Sequence, residues 1–269
     1  MRQLSLLPLP FLLALPAALA AEEAMTPEVV VSAEDCDERD PQVAYNSLRD
    51  EFLVVWNDVC YSATPAARVL ARRLNRYGLP VGATFEVSPT EDGRNRSRAS
   101  VAYDPVNDRY LVVYAMDYWN NGSDLDIRGR FLAWDGVVPG WGEVIVSQST
   151  DNEWNPEVSL SAATGNHLVA WSTLQATAGT VVWGALIAFG YAPSVFAIAS
   201  PGFRIAPDLS YDATRDRFAV AYDDTNDALA RLVEATNGAV LGEITVANSA
   251  PNESIAATAS CGGGKHLVA

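Results

Sequence analysis

One phrase returns five times along this chain: a short apolar strand, a polar turn, and a second apolar strand ending in an aromatic residue. The complete copies are PQVAYNSLRDEFLVVW from Pro41, ASVAYDPVNDRYLVVY from Ala99, PEVSLSAATGNHLVAW from Pro156 and PDLSYDATRDRFAVAY from Pro207. A fifth copy, ESIAATASCGGGKHLVA from Glu253, runs to the last residue. A repeat of about fifty residues that is built from strands indicates units that bury their apolar faces against their neighbours.

The spacing of the copies leaves room for four short strands in each unit. Equivalent apolar residues lie 58, 57, 51 and 46 positions apart, at Val43, Val101, Val158, Leu209 and Ile255. In the second unit we predict strands A to D at 100–103, 110–114, 126–132 and 143–147, joined by polar turns. Four-stranded units in a radial array form a β-propeller. The sequence therefore predicts an all-β propeller with four complete four-stranded blades and an incomplete fifth.

Residue size alternates along strand A in the way that packing between blades requires. Val101 and Tyr103 place large side chains on one face of the strand, and Ala102 places a small one on the other. Aromatic residues also recur at one register of strand B, namely Trp56, Tyr114, Trp171 and Tyr222. We predict that these aromatic rings pack between neighbouring blades.

Both ends of the repeat region resemble parts of a blade. Residues 28–32 read EVVVS and match the strand D phrase EVIVS at 143–147, so we expect an N-terminal strand that completes the last blade. The chain ends at 267–269, inside strand B of the fifth unit, and we expect the sequence to be a piece of a longer repeat protein. The propeller domain is assigned to residues 28–269.

The first twenty residues have the pattern of a secretion signal. Arg2 precedes a mostly apolar run at 6–15, and Ala18-Leu19-Ala20 forms a small-x-small cleavage site. No later segment is long and apolar enough for a membrane span. The whole chain has a net charge of −15, which argues against nucleic acid as a partner. We expect a protein that is secreted, periplasmic or on the cell surface.

The cysteines agree with an oxidising compartment. Cys36 precedes the first strand A and Cys60 follows the first strand B, so the hairpin register brings the two nearly opposite each other. We predict a Cys36–Cys60 disulfide. Cys261 is predicted to lie in a turn of the fifth unit, remote from both.

The repeat as a whole resembles a known class. The pattern P-x-V-A-Y-N…L-V-V-W is similar to the tandem repeats of secreted bacterial β-propeller proteins, and the resemblance covers almost everything from Glu28 onward. It implies the propeller fold and export. It implies no particular activity, because such repeats resemble one another through their packing residues.

Acidic and aromatic residues concentrate in the D–A and B–C loops, which share one face of a propeller. Aromatic rings beside carboxylates suit the stacking and hydrogen bonding of sugars, and oxygen-rich loops suit Ca²⁺. The predicted ligand-binding residues are Tyr118, Trp119, Asp151 and Trp154, and the predicted metal ligands are Asp117, Asp124 and Asp126. Solvated loops of an acidic protein are the alternative interpretation.

Acidic residues also recur at the start of the innermost strand. The equivalent positions of the five units are Gln42, Ser100, Glu157, Asp208 and Ser254. Glu157 and Asp208 belong to adjacent units, so we predict that their carboxyl groups approach each other near the central channel. Paired carboxylates with different pKa values perform acid–base catalysis in glycosidases.

Three functions remain open from the sequence. The first is a non-enzymatic exported module that presents the acidic, aromatic loop face to a glycan, a cell-surface protein or Ca²⁺. The second is a secreted carbohydrate-active enzyme that uses Glu157 and Asp208. The third is a purely structural surface repeat. The first is preferred, because packing and turns account for every strongly patterned residue and leave the loops as the variable surface.

Overall fold

The computed structural model describes residues 28–33, 35–61, 66–89, 91–138, 140, 142–176, 179–199, 202–225, 227–248, 257–262 and 265–268. These residues form eighteen β-strands and no helix. Accordingly, the described part of the chain has no helix of the length and apolarity that crossing a membrane requires. The predicted signal peptide, residues 1–20, lies outside the described residues.

Sixteen of the strands form four antiparallel sheets, each in chain order. The first sheet contains β1 (Asp37–Asn46), β2 (Glu51–Val59), β3 (Ala67–Asn75) and β4 (Pro80–Glu86). The second contains β5 (Asn95–Asp104), β6 (Arg109–Asp117), β7 (Leu125–Ala133) and β8 (Val144–Ser147). The third contains β9 (Asn152–Leu160), β10 (His167–Gln175), β11 (Gly179–Ile187) and β12 (Ser194–Ala197). The fourth contains β13 (Arg204–Asp212), β14 (Arg217–Asp224), β15 (Asp227–Glu234) and β16 (Val240–Ala247).

A fifth sheet begins with β17 (Thr258–Gly262) and β18 (Lys265–Val268). The predicted propeller of four complete blades and an incomplete fifth is thereby confirmed. We number the blades 1 to 5 in chain order.

The hydrophobic cores lie between blades, as the alternation of large and small residues predicts. Ala44 of blade 1 packs in one cluster with Val101, Tyr103 and Tyr114 of blade 2. The next cluster joins Ala102 of blade 2 to residues of blade 3 that include Trp171, and a third joins blade 3 to blade 4. The recurring aromatic residues Trp56, Tyr114, Trp171 and Tyr222 are all buried. Each blade thus depends on its neighbours for most of its core.

The innermost strand of each of the four complete blades carries a β-bulge near its start, which sequence reasoning did not anticipate. Strand β5, for example, begins at Asn95, five residues before the predicted start, and its register with β6 shifts between Ser97 and Ser100. One residue of each bulge has a positive φ: Asp40 (51°), Arg98 (56°), Asn155 (53°) and Ala206 (51°). A bulge breaks the period-two alternation of side chains, which explains why the predicted strand starts too late.

The predicted disulfide between Cys36 and Cys60 is present, with a Cα–Cα distance of 5.0 Å. Strands β1 and β2 pair as far as Asp37 and Val59, directly beside the two cysteines. The bulge at Asp40 contributes to this match, because it shifts the pairing by one residue and brings Cys36 opposite Cys60.

The N-terminal segment 28–33 is not a strand, contrary to the prediction for residues 28–32. Its carbonyl at Val31 nevertheless accepts a hydrogen bond of 2.7 Å from Nη1 of Arg72 on β3. Arg130, at the same position of blade 2, bonds the carbonyl of Val87, which follows β4 of blade 1. The carbonyl of Val31 therefore makes the same contact to blade 1 that the carbonyl of Val87 makes to blade 2. The segment therefore lies where strand D was predicted, but it pairs with no strand among the described residues.

The fifth blade departs from the repeat register. The repeat predicts that Ala257 pairs with His266, whereas the structure pairs Ser260 with His266, three residues later on β17. As a consequence Cys261 lies in strand β17 and not in the turn where it was predicted.

Candidate functional site

The starts of the four complete inner strands surround a cavity of about 270 Å³ at one end of the central channel. We call this cavity the channel mouth. Its walls come from the bulged segments of β1, β5, β9 and β13: Asp40, Gln42, Arg98, Ala99, Asn155, Pro156, Glu157, Ala206, Pro207 and Asp208. Among the described residues, these walls contain acidic, amide and guanidinium groups but no aromatic ring. The bulges place these groups here because each one re-aims a residue of the innermost strand.

Glu157 is the most perturbed group of the channel mouth. Its Oε2 accepts a hydrogen bond of 2.7 Å from Oγ of Ser100, the equivalent residue of blade 2. Ser100 Oγ in turn accepts the backbone N–H of Val158 at 3.2 Å. Burial raises the pKa of Glu157 to about 7; the bond from Ser100 opposes this increase, and the charge of Asp208 adds to it.

Asp208 holds the other side of the channel mouth against blade 5. Its Oδ2 accepts hydrogen bonds from the hydroxyl of Thr258, at 2.8 Å, and from the backbone N–H of the same residue. The structure places Glu157 and Asp208 in the walls of one cavity, with each carboxylate oriented by a hydroxyl of an adjacent blade. Ser254, the fifth residue predicted for this ring, lies outside the described residues.

Three further polar residues of the channel mouth were missed by sequence reasoning. Asp40 accepts a hydrogen bond of 2.9 Å from the amide of Asn57, and Arg98 donates one to Oδ1 of Asn155. Asp40, Arg98 and Asn155 all precede the repeated phrase by one residue. An Asp or Asn just before an inner strand in two of four repeats was the available signal, since these residues tolerate a positive φ.

The predicted aromatic pair Tyr118 and Trp119 lies together on the loop between β6 and β7. The two rings meet edge to face, with centroids 4.8 Å apart. The guanidinium of Arg94 stacks over Tyr118 at 4.0 Å, whereas Trp119 is 63% exposed. This loop is at the same end of the blade as the channel mouth, because Asp117 at its start pairs with Asn95 at the start of β5. Trp119 is therefore an accessible aromatic surface on this face.

The other two predicted ligand residues do not join that pair. Trp154 is half-buried in β9, where it pairs with Ser172 of β10. Asp151 lines a separate cavity of about 160 Å³ together with Glu153 and Trp171. The structure thus divides the predicted ligand-binding set among three places.

The predicted metal ligands are not gathered around one point. Asp117 Oδ2 accepts the backbone N–H of Gly122 at 2.8 Å, and Asp126 Oδ2 pairs with Arg128 at 2.8 Å. Asp117, Asp124 and Asp126 each keep one buried oxygen without a partner, but they do not form a group with ligand atoms within 4.8 Å of one another. Ca²⁺ at these residues remains a prediction.

Among the described residues, the side chains of Cys36, Asp58 and Cys60 do form a group of that kind. The two sulfur atoms are joined in the disulfide, however, and are not free thiolates. A metal centre is therefore not assigned there.

Comparison with known proteins gives a fold but no family. No family model matches the chain, and no curated protein matches it significantly. Solved structures do match: a Hadza microbial sialidase at a TM-score of 0.58 and 8% identity, over 77% of this chain and 46% of that one. A family 117 glycoside hydrolase from the marine bacterium Zobellia galactanivorans matches at a TM-score of 0.53 and 9% identity, over 78% of this chain and 70% of that one.

A third match is an exo-β-1,3-galactanase from Phanerochaete chrysosporium, with a TM-score of 0.53 and 9% identity over 80% of this chain. The chain spans 53% of that galactanase and about half of the sialidase. At such low identities the similarity establishes the shared fold alone.

Proposed function

We propose that this protein is an exported carbohydrate-binding propeller and that the channel mouth holds the glycan. The observation that carries the proposal is the set of polar side chains that converge on one cavity of about 270 Å³ from four blades, with Gln42, Asn155, Glu157 and Asp208 among them. Mixed donors and acceptors of this kind match the hydroxyl groups of a sugar, each of which donates and accepts hydrogen bonds.

Charge supports a neutral or cationic ligand over an anionic one. Of the described residues that line the channel mouth, Asp40, Glu157 and Asp208 are acidic and Arg98 alone is basic, and the chain as a whole carries −15. Sulfated or phosphorylated ligands are repelled by such a site. The matched solved structures include glycoside hydrolases, which supports a carbohydrate as the ligand.

The exposed ring of Trp119 offers a second contact for a longer glycan. It lies on the same end of the propeller as the channel mouth, and its edge-to-face contact with Tyr118 fixes its orientation. Aromatic side chains supply large contact area at a low cost in conformational entropy. In this proposal the channel mouth binds hydroxyl groups and Trp119 stacks on a sugar ring farther along the glycan.

Export follows from the signal pattern of residues 1–20, and the disulfide supports it. A Cys36–Cys60 bridge persists in an oxidising compartment and is rare in the cytosol. A secreted, periplasmic or surface-bound glycan receptor is consistent with both features.

The proposal is tested by screening the mature protein on a glycan array and measuring affinity for the hits by calorimetry. We expect Asp208→Asn and Asn155→Ala to weaken binding by roughly tenfold each, about 1.4 kcal/mol, because buried hydrogen bonds are lost. Trp119→Ala should weaken binding of long glycans more than of short ones. Asp135→Asn, on the distant β7–β8 turn, is the matched control. Binding that is unaffected by every channel-mouth variant would refute the proposed site.

A second function, glycoside hydrolysis, is favoured by one observation. The raised pKa of Glu157, about 7, suits a general acid, and Asp208 beside it suits the partner carboxylate. Assays on the same sugars distinguish the two functions. Turnover that Glu157→Gln abolishes while binding survives would establish the enzyme; binding without turnover establishes the receptor. If neither binding nor turnover is detected, a purely structural repeat is the remaining interpretation.

A further inference from the structure

A second cavity, of about 160 Å³, lies where the end of blade 2 meets blade 3. Its walls include Ser147 and Ser149 from the end of β8, Glu153 of β9 and Trp171 and Thr173 of β10. We call it the inter-blade pocket. It shares no lining residue with the channel mouth, so it is a separate site.

Three polar atoms of the inter-blade pocket are buried and have no hydrogen-bond partner. They are Oε2 of Glu153, Nε1 of Trp171 and Oγ1 of Thr173. Glu153 is 2% exposed and Trp171 is 1% exposed. The other oxygen of Glu153, Oε1, accepts hydrogen bonds from Ser147 at 2.7 Å and from Ser149 at 3.0 Å. Because buried polar groups are almost always paired in folded proteins, three unpaired atoms around one cavity indicate a missing partner.

The repeat shows what this place contains in other blades. In blade 2 the hydroxyl of Tyr114, equivalent to Trp171, donates to Glu143 at 2.8 Å, and Arg96, equivalent to Glu153, lies 3.3 Å from the same carboxylate. Blade 4 repeats the arrangement with Tyr222, Glu243 and Arg204. An arginine, a tyrosine and a glutamate thus satisfy one another in both blades.

Blade 3 replaces all three members of that group. Trp171 pairs with Trp183, and Trp183 pairs with Ala197. This register places Val195 at the position that Glu143 occupies in blade 2. Val195 cannot accept a hydrogen bond, and Glu153 stands where blades 2 and 4 have arginine. Blade 3 therefore lacks the arginine–tyrosine–glutamate group that fills this space in blades 2 and 4, and the inter-blade pocket lies in its place.

The unpaired atoms define the chemistry of an occupant. Glu153 Oε2 is an acceptor, Trp171 Nε1 is a donor, and the Thr173 hydroxyl is both. An ammonium ion satisfies Glu153 but offers no lone pair to Trp171, and an anion is repelled by Asp151 and by the ionised form of Glu153. A neutral group with several hydroxyls satisfies all three atoms.

We propose that the inter-blade pocket is a second binding site, specific for a neutral polyhydroxylated ligand of monosaccharide size. One ligand hydroxyl donates to Glu153 and accepts from Trp171, and a neighbouring hydroxyl bonds Thr173. Because the three atoms are buried in the unliganded protein, these contacts require the lining side chains to turn toward the cavity when the ligand binds. The burial that raises the pKa of Glu153 to about 7 agrees with a neutral ligand, because it disfavours a permanent charge at this place.

The test follows the indole N–H signals of the seven tryptophans by two-dimensional NMR, with glucose, galactose, glycerol and tetramethylammonium as probes. The Trp171 signal is assigned by its loss in Trp171→Phe. We expect a sugar or glycerol to move it downfield, because the N–H gains an acceptor. Trp56→Phe, at the same register of blade 1, is the matched control and should leave the response intact. Glu157→Gln, in the channel mouth, should leave it intact as well.

A second variant keeps the test independent of folding defects. The triple change Glu153→Arg, Trp171→Tyr and Val195→Glu installs in blade 3 the group that blade 2 already contains, so the fold is expected to persist. Sugar affinity measured at the neighbouring Trp183 signal should fall at least roughly tenfold in this variant. The proposal is wrong if the triple variant binds as the wild type does, if only tetramethylammonium moves the Trp171 signal, or if no probe moves it.

Discussion

At the residue scale, the properties of the channel mouth centre on Glu157, a carboxyl group that is largely removed from water. Its hydrogen bond from Ser100 satisfies one oxygen but does not offset the cost of burial, so its pKa rises to about 7. A carboxyl group with this pKa changes its charge near neutral pH. Ligand binding and stability at this site are therefore expected to depend on pH.

The raised pKa gives a first prediction about stability. The folded state holds the Glu157 proton up to about pH 7, whereas the unfolded chain releases it near pH 4.5. Folding thus binds a proton between these values, and the contribution of Glu157 to the free energy of unfolding falls as pH rises through this window. We expect Glu157→Gln to be neutral at pH 4 and to stabilise the protein at pH 8 by at most about 3 kcal/mol.

Urea denaturation at the two pH values measures this difference. Glu38→Gln, on the exposed part of β1, controls for the change in net charge. An equal effect of Glu157→Gln at pH 4 and pH 8 would contradict the assigned burial.

Part of the candidate site follows from the sequence. Aligning the repeats places Ser100, Glu157 and Asp208 at one position, and the structure gathers all three at the channel. The bond from Thr258 to Asp208 could not be predicted, because the fifth blade is shifted by three residues. The inter-blade pocket was readable in principle, since Glu153 stands at the position where blades 2 and 4 have arginine. Whether a cavity forms there depends on the volumes of the surrounding side chains, which the spacing of residues in the sequence does not reveal.

Backbone strain gives a second prediction at this scale. Ala206 has a φ of 51°, in the left-handed region that costs a residue with a Cβ atom roughly 1–2 kcal/mol. Ala206→Gly removes that cost. Glycine also increases the conformational entropy of the unfolded chain, which destabilises the folded state by about 0.4–1 kcal/mol. We expect a net stabilisation of about 0.5–1 kcal/mol by urea denaturation. Ala102→Gly, in an extended and buried position, should destabilise instead; stabilisation by both changes would refute the explanation.

At the scale of the elements, the strands themselves were predictable and their ends were not. Alternating apolar residues identified the inner strands, but β5 and β9 extend through bulges whose side chains break the alternation. Residues 28–32 have a strand D sequence, and the carbonyl of Val31 accepts a hydrogen bond from Arg72, yet they form no ladder among the described residues. A β-strand requires a neighbouring strand for its backbone hydrogen bonds as well as a suitable residue pattern, and the sequence displays only the pattern.

The β1–β2 hairpin carries the third prediction, on the Cys36–Cys60 disulfide. The bridge spans 24 residues, and in the chain-entropy model such a loop contributes about 3 kcal/mol by restricting the unfolded state. The double change Cys36→Ala and Cys60→Ala should lower the free energy of unfolding by about that amount. Cys261→Ala in β17 is the matched control and should change little. Equal losses in both proteins would show that the bridge itself contributes nothing.

At the scale of the whole molecule, the ring creates the sites that no single blade contains. The channel mouth takes walls from blades 1 to 4, and the inter-blade pocket takes walls from blades 2 and 3. The repeat determines the fold through equivalent residues, whereas both sites arise where blades differ. Glu157 stands where blade 1 has Gln42 and blade 2 has Ser100, and Val195 stands where blades 2 and 4 have glutamate. Departures from the repeat are therefore the places to seek function in this protein.

Hydrogen–deuterium exchange of the mature protein, with and without a glycan that binds it, tests whether the glycan lies at the channel mouth. We expect slower exchange at the starts of the inner strands of the four complete blades, at residues 38–42, 96–100, 153–157 and 204–208, because the ligand contacts the bulges there. The outer strands β4 and β16 should exchange at unchanged rates. Protection confined to the outer strands, or no protection at the inner-strand starts when the glycan is saturating, would contradict the claim.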